Sequence, residues 1–387
     1  MVLVTILLSA NAVLAVAGIL SPVAPVTQEA WKDLGPIQLY FDRPPTSVVE
    51  IIQVTPAVIE TSDGAYHAWF TTQNQWTNGL TIVSTNEIYS AISGDGYRWH
   101  LVGSAINMTV SPWGSLFALE PFVELTPEGI YQMWFVGRNN SVGAIYHASS
   151  NDGLNWTIDS RVLSPGAPET WDDGNVWHPV FTFGPRFEHF LYYLAGNREN
   201  QSIPPRVGLA VLDGYDRLDH RVGNGSVFGP GATGAWDSGG IGSFTFLPGS
   251  PQTLAYVSPF CCTQGEGLGI AHSSDGVTWT RSSDTPVTIV PDPTYPSLGV
   301  LGIASVATDF GPRIYHTSID SRYPAGILVP TTVQVPGPAN PYYLPLLLAS
   351  LGGVLAVIAD LGWQRVFASD ETAPPTDPEP EDVMNKE

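Results

Sequence analysis

The stretch SSDGVTW at residues 273–279 has two near copies upstream, SGDGYRW at 93–99 and SNDGLNW at 150–156. A serine, an Asp-Gly pair and a tryptophan recur at fixed offsets. The tryptophans, Trp99, Trp156 and Trp279, lie 57 and then 123 residues apart. The second interval is two periods long, and a worn copy, LDGYDRL at 212–218, fills it, so the chain repeats about every 60 residues. Self-similarity at such a period marks a repeat architecture. Asp-Gly suits a tight turn, because glycine accepts positive φ and the aspartate can hydrogen-bond nearby amides. A catalytic carboxylate is needed once, whereas this one recurs in every unit. Asp95, Asp152 and Asp275 are therefore expected in outer turns, with their tryptophans between neighbouring units.

Each period opens with a short strand, often carrying a proline: TPAVIE (55–60), LEPFVE (119–124), WHPVFTF (177–183), IGSFTF (241–246) and GIASVAT (302–308). An aromatic strand follows: YHAWFTT (66–72), YQMWFVG (131–137), HFLYYLAG (189–196), TLAYVSP (253–259) and RIYHTSI (313–319). A third strand of small residues leads into the Asp-Gly turn, and the segment after the tryptophan supplies a fourth. Four antiparallel strands, five times over, predict an all-β five-bladed β-propeller over residues 37–336. Blade five lacks its last strand, which IQLYFD (37–42) or VVEIIQV (48–54) is expected to supply, closing the ring and covering its edges.

The repeated pattern P-x-[VI]…Y-x-x-W-[FY]…A-x-S-x-D-G-x-x-W resembles the arabinanase-, xylosidase- and invertase-like glycoside hydrolases (families 43, 32 and 68, with the related mannoside phosphorylases). The Asp-box of sialidases is a competitor, but it has one more residue between Asp and Gly. The resemblance implies an active site in the central funnel, at the starts of the innermost strands. It also implies three acids there: a base or nucleophile Asp on blade one, a supporting Asp on blade two and a general-acid Glu on blade three. Such a set protonates the leaving oxygen and activates water or attacks carbon.

Position by position, this chain departs from that pattern. Thr55 precedes Pro56 on blade one, Glu120 precedes Pro121 on blade two, and Trp177 and His178 precede Pro179 on blade three. Only Glu120 is a carboxylate at a matched position, and it reads either as a funnel acid or as a loop-edge residue. His178 is a candidate acid/base or a hydrogen-bonded polar residue. Asp42, Glu50, Asp172 and Asp237 are possible replacements for the missing acids. Trp171-Asp172-Asp173-Gly174 and Trp236-Asp237-Ser238-Gly239 are matching turns that rim the funnel in this topology. Their tryptophans, with Trp113 and Trp177, are candidates for stacking on sugar faces or for packing.

Composition agrees with many short strands joined by turns: 43% hydrophobic, 11% aromatic and 13% charged residues, with 39 Gly and 34 Pro in 387. The net charge of −21, with only Lys32 and Lys386 as lysines, should repel nucleic-acid phosphates. Dispersed histidines and no cysteine cluster give no sign of a metal, and no phosphate-binding loop or other motif calls for a cofactor. The two cysteines, Cys261 and Cys262, are adjacent and cannot staple distant segments.

Both ends read as membrane-directed. Residues 1–25 carry an apolar stretch that reads as a signal peptide or a signal anchor. Tyr342–Trp363 is long enough to cross a bilayer, with interfacial aromatics at both ends. Residues 366–387 form an acidic, Pro-rich tail expected to be disordered. Five N-x-S/T sequons, at Asn107, Asn139, Asn155, Asn200 and Asn224, fall between the two apolar segments. The expectation is an extracellular propeller held at the cell membrane by one C-terminal span. It either acts on or binds a carbohydrate or glycoconjugate through its funnel, or serves as a non-catalytic surface module for glycan or protein binding or envelope structure. Oligomeric state is open.

Overall fold

The computed structural model describes residues 26–41, 48–78, 81–108, 117–139, 142–196, 203–223, 225–248, 252–258, 267–290, 300–308, 311–318 and 326–335. The chain divides into two compact units: Glu29–Thr332, and Met1–Gln28 with Val333–Glu387. The signal or anchor segment 1–25, the span 342–363, the tail 366–387, Trp113, Asp42 and both cysteines lie outside the described residues.

Every regular element longer than a turn among the described residues is a β-strand. Two strands come first, β1 (Val26–Pro36) and β2 (Gln38–Phe41). The first blade is β3 (Val48–Glu60), β4 (Tyr66–Asn78), β5 (Thr81–Ser93) and β6 (Arg98–Ile106). The second is β7 (Phe117–Leu125), β8 (Tyr131–Asn139), β9 (Val142–Ser150) and β10 (Thr157–Leu163). The third is β11 (Asn175–Phe183), β12 (His189–Gly196), β13 (Arg206–Asp213) and β14 (Arg217–Arg221). The fourth is β15 (Ser243–Phe246), β16 (Thr253–Ser258), β17 (Gly267–His272) and β18 (Thr280–Arg281), followed by β19 (Thr288–Val290). The fifth contains β20 (Val300–Thr308), β21 (Gly311–Ser318) and β22 (Gly326–Val335).

Closure differs from the expectation. The fifth sheet runs β19-β1-β22-β21-β20, so β1, upstream of residue 37, supplies its fourth strand. Residues 48–54 are instead continuous with the inner strand of blade one, and β2 lies parallel to β6 as an extra edge on that blade. A strand from the N-terminal side thus completes the C-terminal blade, which ties the two ends of the ring together.

Five apolar clusters fill the five gaps between blades. Trp99, Tyr66 and Tyr315 sit between blades five and one, and Trp69, Met133 and Tyr146 between one and two. Trp134, Phe181 and Tyr193 fill the next gap, Tyr192, Phe244 and Tyr256 the fourth, and Trp31 of β1 joins Val257 and Ile314 in the last.

The three SxDGxxW turns are superimposable in their bonding. In each, the serine Oγ accepts from the Asp and Gly amides, and the aspartate Oδ1 accepts from the next two. These amides hold the Asp275 carboxyl down at about 2. The tryptophan indole then donates to the glycine carbonyl, at 3.0, 3.0 and 3.2 Å. That same carbonyl accepts a second bond from the neighbouring blade: Tyr315 Oη to Gly96 at 2.9 Å, Trp69 Nε1 to Gly153 at 2.9 Å and Tyr192 Oη to Gly276 at 2.6 Å. In the worn third copy Trp134 Nε1 donates to the Tyr215 carbonyl at 2.9 Å. The turn is a latch between blades, and its glycines have φ near 75° (75°, 71° and 74°), where a side chain would be strained.

Removing one latch should be measurable. Tyr192→Phe is expected to cost about 1 kcal/mol, the net worth of one hydrogen bond. Trp69→Ala, which also empties an interblade site, should cost about 3–5 kcal/mol. Urea denaturation monitored by tryptophan fluorescence checks both; equal stability of Tyr192→Phe and wild type would remove the latch.

Candidate functional site

The innermost strands β3, β7, β11, β15 and β20 line a central cavity of about 530 Å³. Near their first residues the ladders slip: register shifts fall between Gln53 and Ala57, Leu119 and Phe122, Trp177 and Val180, and Val300 and Ile303. The prolines explain three of them. Pro56, Pro121 and Pro179 have no N–H to give the ladder, so the strand bulges, and a bulge re-aims the side chains beside it. Glu120 and His178, each preceding its proline, adopt left-handed backbone with φ of 50° and 51°. Such a conformation costs on the order of 1–3 kcal/mol for a residue with a side chain and persists only where its surroundings fix it.

The surroundings do fix it. The Glu120 amide donates to Thr71 Oγ1 of β4 at 3.0 Å. His178 Nε2 lies 2.8 Å from the Phe244 carbonyl and 3.2 Å from the Phe244 amide, with Ser243 Oγ at 3.3 Å. Ser243 Oγ in turn accepts from the Ile303 amide at 2.9 Å. A run of polar contacts therefore links Thr71, in the second strand of blade one, to the strand starts of blades two to five. With the imidazole proton on Nε2, the ring donates to the Phe244 carbonyl, the shorter of the two contacts. Nδ1 is then an acceptor, 3.8 Å from Glu120 Oε2.

Burial decides the protonation of the pair. It pushes the Glu120 carboxyl up to about 7, against the opposing influence of the His178 backbone amide and Arg138. It holds His178 down at about 4. Both groups are thus neutral in mildly acidic solution, and Glu120 is a proton donor facing an imidazole acceptor. Glu120 Oε2 has no hydrogen-bond partner within the described residues.

The structure brings Glu120, His178 and Pro56, next to Thr55, to the cavity, while the Thr55 and Glu50 side chains fall outside the described set. Trp177 lines a smaller recess that shares Glu120 with the main cavity. Asp172 and Asp237 lie apart from both. Asp172 Oδ2 accepts from Arg221 Nε and Tyr193 Oη, each at 3.0 Å. Asp237 Oδ2 accepts from Arg281 Nε at 2.5 Å and Tyr256 Oη at 3.0 Å. Trp171 stacks on Tyr193 and Trp236 on Tyr256, with centroids 6.1 and 5.6 Å apart. These are twin clamps that pin the loop before each inner strand to its own blade. The longer repeat P-G-A-x-x-x-W-D-x-G, at 165–174 and 230–239, signals them. A Cβ on Gly166 or Gly231 would sit 2.1 or 1.9 Å from the clamped aspartate, which fixes glycine there.

Two further acids line the main cavity, Glu60 and Glu124. Glu124 is pushed up to about 7 by burial alone. Alternation along β7 would have flagged it only through its in-register separation from Glu120. Four residues along an extended strand span about 13 Å, so β7 itself does not set two carboxyls at hydrolase spacing.

No protein-family model and no curated protein matches the chain. Solved structures do resemble it. A Listeria innocua β-1,2-mannobiose phosphorylase superimposes with a TM-score of 0.54 at 13% identity, over 76% of this chain and 93% of that one. A family 117 glycoside hydrolase of the marine bacterium Zobellia galactanivorans gives 0.56 at 15% identity, over 83% and 98%. A structure from work on mannoside phosphorylases of family 130 that include glycoside hydrolases targeting β-1,2 mannosidic linkages in Candida mannan gives 0.54 at 16%, over 77% and 88%.

The raised acid predicts a pH signature. Between pH 4.5 and 7 the native state keeps a proton on Glu124 that the unfolded chain has released, so stability falls as pH rises through that window. The full effect approaches about 3 kcal/mol. Glu120 acts in the same direction, and His178, between 4 and 6.5, in the opposite one. Glu124→Gln should therefore lose less stability than wild type between pH 5 and 8 in chemical denaturation; parallel pH curves would contradict the assignment. In fold, the chain is a glycoside-hydrolase-like propeller.

Proposed function

We propose that this chain is a carbohydrate-binding propeller, exported and membrane-anchored, that receives a sugar at the funnel mouth around Glu120 and His178. The observation that carries the reading is the Glu120–His178 pair, held on left-handed backbone at the bulged strand starts of a glycoside-hydrolase-like propeller. A neutral carboxylic acid and a neutral imidazole with one free acceptor suit sugar hydroxyls, which both donate and accept hydrogen bonds. Binding is preferred to turnover because Thr55 and His178 occupy positions where the resembling hydrolases place acids. The neighbours named above act on carbohydrate, which supports the class of ligand.

A second reading, glycoside hydrolysis, is favoured by one observation: an acid near 7 is what a general acid requires at neutral pH. The test takes the full chain to a glycan array and to a panel of aryl glycosides. Selective binding that Glu120→Ala weakens tenfold or more, without aglycone release, is the expected outcome. Release that disappears in Glu120→Gln would establish hydrolysis instead, and an array without signal would remove carbohydrate from the account. Anchoring rests on the apolar segments 2–20 and 342–363. It predicts that the chain floats with membranes in a gradient, stays there through a carbonate wash and is released by detergent.

A further inference from the structure

We propose that the recess beside the main cavity is a subsite for an acidic sugar, whose carboxylate is received by Arg138 while its ring lies on Trp177. The inference rests on the carbohydrate-binding reading and names the ligand class for one part of that site. The recess holds about 290 Å³, at the small end of ligand cavities and suited to a single sugar residue. Glu120 of β7, Arg138 of β8, Gly143 of β9, and Asn175 and Trp177 of β11 all contribute to its wall.

Charge is the deciding feature. Arg138 is the one cation lining either cavity among the described residues. The chain has 36 acidic residues against 15 lysines and arginines, and its other well-placed arginines are spent: Arg221 on Asp172, Arg281 on Asp237 and Arg98 on Asp95. Arg138 has no ion pair among the described residues; the electrostatic neighbour it does have is Glu120. Below pH 7 burial keeps Glu120 protonated, so it does not neutralise the guanidinium. His178, the other titratable group at this point of β11, is neutral as well, and Gly143 brings none from β9. The recess is therefore a small cationic spot in a molecule of net charge −21.

The remaining walls fit the same ligand. Trp177 is half-buried: it packs against the apolar cluster between blades three and four, and its uncovered part lines the recess, where an aromatic residue suits the apolar face of a sugar ring. Asn175 Oδ1 accepts from the Gly143 amide at 2.8 Å, which fixes the side chain and turns its NH2 into a positioned donor. Guanidinium and carboxylate pair in two parallel, charge-assisted bonds, and a hydroxyl in place of the carboxylate forfeits them. A preference of about tenfold or more for the acidic sugar follows.

Calorimetric titration of the full chain at pH 5.5 tests this with the methyl glycosides of glucuronic, galacturonic and mannuronic acid, each against its neutral parent. At least one acid should bind about tenfold or more tightly than its parent, with the preference abolished in Arg138→Gln and partly kept in Arg138→Lys. The preference should shrink at pH 8, where ionised Glu120 competes for Arg138. Arg138 is exposed, so unchanged melting temperatures are expected and separate a binding effect from misfolding. Equal affinity for acids and neutral parents, or a preference that survives in Arg138→Gln, would overturn the subsite while leaving the sugar-binding reading in place. Binding of neither class would overturn both, and binding of inorganic phosphate in place of every sugar acid would overturn the acidic-sugar assignment.

Discussion

The structure depends on one shared acceptor. In each complete SxDGxxW turn the glycine carbonyl takes a bond from its own tryptophan and another from an aromatic residue of the preceding blade. Neither half suffices. The first shapes the turn; the second fixes where the neighbouring sheet stands. Among the described residues no central helix or disulfide sets the blade angle, so repetition of this contact and the apolar clusters beside it do so. The repeated aspartates serve to present that carbonyl.

Once the blades are fixed, the funnel follows from proline. At a strand start, a residue with no N–H forces a bulge, and the bulge turns Glu120 and His178 inward. The cost of their backbone conformation is met by the run of polar contacts from Thr71 to Ile303. What emerges is a pair whose protonation is set by burial rather than by opposite charge. That distinguishes it from Asp172 and Asp237, which are just as buried but hold arginines and therefore brace loops.

Much of this was legible in the residues. The Asp-Gly-x-x-Trp spacing counted the blades, and the X-Pro positions located Glu120 and His178. The closing strand was not legible, because β1 does not look like one. Its buried positions include Asp33, whose Oδ1 accepts from the Gly35 amide and whose Oδ2 lies 3.6 Å from His316 Nε2, so the apolar alternation that marks strands is broken. Glu124 was missed because a charged residue within a strand reads as solvent-facing, whereas here that face turns to an enclosed funnel. Arg138 was missed for a different reason. Nothing local distinguishes an arginine at a strand end from a solvated one; only the recess it lines and its lack of an ion pair among the described residues do so. Asp172 and Asp237 were visible as a repeat, yet their arginines, 49 and 44 residues away, were not.

The claim that organises the site is that Glu120 carries a proton at the funnel mouth near neutrality, facing an unprotonated His178. Carbon-13 NMR of the chain labelled at glutamate side-chain carboxyls, with Glu120 assigned by comparison with Glu120→Gln, measures this directly. The account predicts a Glu120 resonance that titrates at about 7. A midpoint near the ordinary carboxylate value, about 4.5, would contradict it.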